Sequence, residues 1–84
     1  MKKSTTEKTE HLVELNRLLI SECSSKGLTK DETFIIGAMA NCQDSIDRYG
    51  EEMAIKMAIE VIKLCGNDSE LIFFAVEKAL GLRD

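Results

Sequence analysis

Residues 50–66 read GEEMAIKMAIEVIKLCG, and their pattern organises the rest of the chain. Placed at about 100° per residue, Met53, Ala54, Ile55, Met57, Ala58, Ile59, Val61, Ile62, Leu64 and Cys65 cover most of a helix circumference. Glu52, Lys56, Glu60 and Lys63 share one narrow stripe. A helix that is apolar nearly all round must be buried, by its own domain or by a partner. The pattern predicts a helix over about residues 51–65, with Glu51 and Glu52 at the positive end of its dipole and Gly66 as its stop. Few other residues are available to cover it, so it is either the centre of the domain or the seat of a dimer.

On the C-terminal side, Asn67 or Asp68 can cap a further helix over about 68–80, with Glu70 placed to close a box from Asn67. Leu71, Ile72, Ala75, Val76 and Ala79 form its inward stripe, and Phe73 and Phe74 point to two sides. Gly81-Leu82 ends it. On the N-terminal side, Gly50 either separates two helices or kinks a longer one. The preceding helix, over about 30–49, is expected to bury Phe34, Ile35, Ala38, Cys42, Ile46 and Tyr49, with Met39 beside them. Ile36 and Ala40 then fall on its polar side. Gly37 costs about 1 kcal/mol in a helix interior relative to alanine, and close approach of another helix is its expected benefit.

The first helix, over about 5–26, can be capped by Ser4, Thr5 or Thr6, Ser4 with Glu7 matching a capping box. Leu12, Leu15, Leu19, Ile20 and Cys23 share its broad apolar face, widened by Val13 and Leu18. Asn16 falls inside that face, where it either fixes register, bonds a neighbouring helix end or sits at the rim. Lys26-Gly27-Leu28 reads as a Schellman stop. Thr29-Lys30-Asp31-Glu32 reads as an immediate restart with a second capping box, so the first two helices are neighbours. The expected fold is all-α, a compact bundle of four short helices forming a single domain, 1–84, with residues 1–4 as a mobile N-terminus.

Composition narrows the function. Hydrophobic residues at 44% against 31% charged suit a folded chain rather than a disordered one. The net charge of −4, with Lys2-Lys3 as the only adjacent basic pair, disfavours a nucleic-acid partner. The longest apolar run, Leu71 to Val76, is far short of the roughly 20 residues that span a bilayer, so direct membrane insertion is not expected. Residues 1–10 are too polar for a secretory signal, and a cytoplasmic location is the expectation. Cys23, Cys42 and Cys65 are widely spaced and odd in number, which argues against disulfides and a zinc site and for small buried hydrophobes.

No catalytic grouping emerges. The single histidine, His11, lies on or near the polar side of its helix, away from the cysteines on the core stripes. Glu51-Glu52 and Asp44/Asp47 read as a helix start and a solvated face rather than an acid–base pair. The glycines are isolated stops, not a phosphate loop. The expectation is therefore no enzyme, no cofactor and no metal. Apolar residues left off the core stripes, Ile36, Ala40, Ile59, Phe73 and Phe74, are the candidate partner-binding positions, with Asp44, Asp47 and Arg48 flanking them to orient a protein partner or a homodimer. Asp44 and Arg48 are also spaced as an i,i+4 pair.

The alternative is a helix-turn-helix regulator. Ile62, Gly66 and Ile72 fit its spacing, but its reading helix would present Ser69, Glu70, Phe73, Phe74 and Glu77, whereas bases and phosphates call for Arg, Lys, Asn or Gln. In size, helical character and the opening Lys8-Thr9-Glu10-His11-Leu12-Val13-Glu14-Leu15-Asn16, the chain resembles the cytoplasmic antiholins, the lysis-inhibition accessory proteins of T-even-type phages. The resemblance implies binding to the cytoplasmic part of a membrane-embedded lysis protein. It carries over no individual functional residue.

Overall fold

A computed structural model describes residues 2–83, with side chains from Thr6 onward. Five helices follow one another: α1 (Lys2–Ser25), α2 (Lys30–Ala40), α3 (Gln43–Tyr49), α4 (Glu51–Leu64) and α5 (Ser69–Ala79), with no strand among the described residues. The all-α expectation holds; the helix expected over 30–49 is two helices. Helical backbone also starts at Lys2, ahead of the expected cap. The box expected from Ser4 and Glu7 lies outside the described residues, because the Ser4 side chain is not among them.

The local stops and starts follow from capping chemistry. At the end of α1 the Leu28 N–H donates to the Cys23 carbonyl (3.1 Å) and the Gly27 N–H to the Ser24 carbonyl (3.0 Å), which is the Schellman pairing. The same pair recurs at the end of α5, from Leu82 to Glu77 and from Gly81 to Lys78. Thr29 and Glu32 complete their reciprocal box ahead of α2. Asp68, not Asn67, caps α5, accepting from the Glu70 and Leu71 N–H groups. Gly50 adopts φ +88°, a region that favours glycine, so it breaks the chain between α3 and α4 rather than kinking it.

The break after α2 is where sequence periodicity misled. Asn41 turns its amide onto the Gly37 carbonyl (2.8 Å), and the Ser45 hydroxyl donates to the Met39 carbonyl (2.6 Å). In a continuous helix that Met39 carbonyl would accept from the Gln43 N–H. Side chains competing for backbone groups in this way end helices. Ser45 is fully buried, and its proton is committed to Met39, so the Cys42 thiol 3.3 Å away is left to donate to the Ser45 oxygen.

The break changes which face of α2 is inside. Ile36 and Ala40, expected on the polar side, are fully buried. Phe34, Ile35 and Ala38, expected in the core, are exposed. A single helical wheel over 30–49 ties the face of α2 to that of Cys42, Ile46 and Tyr49. Two shorter helices rotate independently, and α2 turns its β-branched Ile36 and small Ala40 onto the core.

α4 is the central helix, packed against α1, α2, α3 and α5, and it lies most extensively along α1. Ala54, Ile55, Ala58 and Ile62 are fully buried and Ile59 nearly so. Burying each isoleucine contributes about 1.5–3 kcal/mol. Cover is not complete, since Met53 and Leu64 remain exposed. From α1 come Leu15, Leu19 and Cys23, and from α5 Ile72 and Val76, followed by Leu80. Cys23 is the one fully buried thiol; Cys42 and Cys65 are half-buried. Burial raises the Cys23 thiol above its ordinary value, against a lowering hydrogen bond with Thr33. At the far end the Lys26 ammonium donates to the Cys65 carbonyl, tying the stop of α1 to the C-terminus of α4.

Candidate binding groove

The residues proposed from sequence do not gather into one surface. Ile36, Ala40 and Ile59 are core, and Phe73 is half-buried against it. Phe74 is exposed, beneath the Arg83 guanidinium at 5.1 Å from its ring centre. Asp44, Asp47 and Arg48 are exposed on α3, but the expected Asp44–Arg48 pair is not among the ion pairs. Arg48 lies instead over Gly81, 3.1 Å from where a Cβ would stand, and Asp47 accepts from the Gln43 amide (2.7 Å).

The face that α2 turns outward forms something the sequence did not announce. Between α1 and α2 runs an apolar groove of about 640 Å³. Leu19 and Leu28, both buried, lie at its base, and Ile20, Phe34 and Ala38 stand along its sides. Phe34 is 76% exposed and Ile20 52%. The lining positions on α2 are 30, 33, 34, 37 and 38, followed by its C-cap 41, and on α1 16, 19, 20 and 24. Both series follow the three-and-four spacing of one helix face.

The two helices run antiparallel through the short 26–29 connection, so each end of the groove draws residues from both sides. One end is closed by Asn16 and Asn41: the Asn41 amide donates to the Asn16 carbonyl oxygen (2.9 Å), while the Asn16 amide donates to the Leu12 carbonyl (2.9 Å). Of the roles open to Asn16, the structure shows it bonding the end of a neighbouring helix. The other end holds Ser24, Lys30 and Thr33. Midway lies Gly37, and a Cβ placed on it would meet nothing within 4 Å. Close approach of a helix within the domain, the benefit expected for this glycine, is therefore not what it provides. It leaves a gap open to solvent.

A second hollow, of about 360 Å³, lies where α1 crosses the start of α4. It is charged. Glu52 meets Lys56 (2.6 Å) and His11 (3.4 Å), and Glu51 meets Lys8 (3.5 Å). Lys56, then His11, hold the exposed Glu52 carboxyl below its ordinary range. The Lys8–Glu51 and His11–Glu52 contacts join α1 to α4, and at such exposure each pair stabilises little.

The α4–α5 corner buries both Ile62 and Ile72. The exposed face of α5 carries Glu70, Leu71, Phe74 and Lys78, with no basic stripe. Among the described residues no three His, Cys, Asp or Glu side chains are grouped to hold a metal ion, and no helix is long and apolar enough to cross a membrane. Set against protein-family models, curated proteins and solved structures, the chain matches none of them.

Proposed function

We propose that this chain is a non-enzymatic regulatory protein that acts by protein–protein binding, with the α1/α2 groove receiving an amphipathic helix. The observation that supports the reading is Gly37. It sits inside α2 at a cost of about 1 kcal/mol in helix propensity, and nothing within the domain occupies the space it leaves. An open apolar slot, flanked by two helix faces of regular spacing and an exposed phenylalanine, has the form of helix-in-groove recognition. Lysis inhibition in the cytoplasm is the narrowest form of this proposal. It rests on the resemblance over Lys8 to Asn16, a stretch whose Lys8, His11, Leu12 and Leu15 are engaged with the rest of the domain.

The test is retention of a host protein on the immobilised chain, compared with Gly37→Leu. Leucine is a good helix former and enters open space, so the fold is expected to persist while the slot is filled. Loss of a retained partner at unchanged helicity supports the groove. Equal retention by both forms, or salt-dependent retention of DNA in its place, refutes it.

A further inference from the structure

We propose that the α2–α3 break is a hinge, and that two copies of this chain exchange α1 and α2 across it, each copy joining its α2 and α3 into one continuous helix. The exchange is independent of the groove, because every contact it uses is one already made within the single chain.

Little holds the break open. Elsewhere the chain turns on strong local signals: Gly27, Gly50 and Gly81 have positive φ, and Thr29 and Asp68 cap the helices they precede. Between α2 and α3 stand only Asn41 and Cys42, with neither glycine nor proline from Ala38 to Ile46. No side-chain hydrogen bond caps α3. Asn41 (φ −104°, ψ 7°) lies beside the helical region of the backbone map. The one large difference from a continuous helix is therefore a single torsion, the ψ of 160° at Cys42.

Tertiary contacts keep the hinge bent. The buried Ser45 hydroxyl donates to the Met39 carbonyl, and α3 packs on α4. A straight helix returns the Met39 carbonyl to the Gln43 N–H, and pairs Asp44 with Ala40 and Ser45 with Asn41 along the backbone. Those bonds offset the side-chain bond that is lost. Burial is the remaining obstacle. At about 100° per residue, Ser45 lies about 160° around a straight helix from the direction shared by Ile36 and Ala40. All three are fully buried. One core cannot enclose opposite sides of one helix, but two cores can.

A second copy supplies the other core. α1 and α2 pack on each other and on α4, and α2 also packs on α5. After exchange the same faces meet the α4 and α5 of the other molecule, down to the Lys26 bond with the Cys65 carbonyl and the His11–Glu52 pair. Monomer and dimer then differ only at the hinge and in concentration dependence, which is the condition under which a short hinge permits exchange.

The experiment holds the full chain at about 1 mM with a reductant, warms it to its thermal midpoint, cools it and applies sedimentation velocity after dilution. The expected result is a species of twice 9.4 kDa that outlasts dilution, because separating it requires α1 and α2 to leave a core. Gln43→Pro is the decisive variant. Position 43 is exposed and first in α3, where proline is well placed, and Cys42 before it already has the extended ψ that proline demands. The monomer should keep its helicity, while each of two continuous helices gains an interior proline, which weakens the dimer about ten-thousandfold. Ser45→Ala releases the Met39 carbonyl and should strengthen the dimer about tenfold. A chain that is wholly monomeric after this treatment overturns the proposal. So does a dimer equally abundant with Gln43→Pro, one that falls apart at once on dilution, or one that Ser45→Ala leaves unchanged or weakens.

Discussion

Gly37→Ala offers the sharpest check on the description of α2. Gly37 is the eighth residue of an eleven-residue helix and does not have positive φ, so alanine fits the backbone without strain. Glycine costs about 0.8–1.0 kcal/mol relative to alanine in a helix interior. The added methyl meets no atom within 4 Å, so no overpacking offsets the gain. The isolated domain should therefore be more stable by about 1 kcal/mol, which for a chain of this size raises the thermal midpoint by roughly 4–8 °C. Thermal and urea unfolding followed by circular dichroism measure it, at a dilution where the chain is monomeric. The urea slope should not change, since the surface exposed on unfolding is the same. A lowered midpoint at that dilution would mean that something in the domain already fills the space over Gly37, and the groove as described would not exist. Gly50→Ala is the control with opposite sign, because φ +88° strains any side chain.

Ile62→Ala empties the centre of the core and should cost about 2–5 kcal/mol, a large part of the roughly 4–12 kcal/mol expected for a domain of this length; a loss below about 1 kcal/mol in urea unfolding would contradict the central place of α4. Thiol titration of the native chain should show Cys42 and Cys65 reacting promptly, while Cys23, fully buried and with its thiol raised by burial, reacts only as fast as the chain opens; three equally fast thiols would refute that placement. Glu52 has a folded-state value below its ordinary one, so its contribution to stability is present above the ordinary glutamate range and is lost as pH falls through the lowered value. The difference in thermal midpoint between the native chain and Glu52→Gln should accordingly shrink on acidification from about pH 6 to about pH 3, and a difference that widens would reverse the assignment.

Much of the fold is legible one turn at a time. The stop at Gly27-Leu28, the restart at Thr29 with Glu32, and the ending at Gly81-Leu82 each need only a few neighbouring residues, and each forms as its motif requires. The burial of the 51–65 segment was equally plain from its composition, and the structure places it at the centre of the domain, packed against the other four helices with Met53 and Leu64 left exposed. The candidate surface was not legible. Ile36, Ala40 and Ile59 were named for contact because a wheel placed them off the core, and they are inside. Phe34, Ile35 and Ile20 were assigned to the core, and they are outside. A signal existed in Asn41 and Ser45, two residues whose side chains compete for backbone groups, and Gly37 carried a second one.

By itself, then, the order of residues determined where helices begin and end and which segment is too apolar to stand in water, because capping and hydrophobic content act over a single turn or a single helix. Tertiary packing decided which way α2 faces. Once Ser45 takes the Met39 carbonyl, α2 rotates freely of α3, and the better fit of Ile36 and Ala40 against the core turns Phe34 and Gly37 outward. The groove exists only because of that rotation, and rotation is set by the shapes of α1 and α4 rather than by the period of α2.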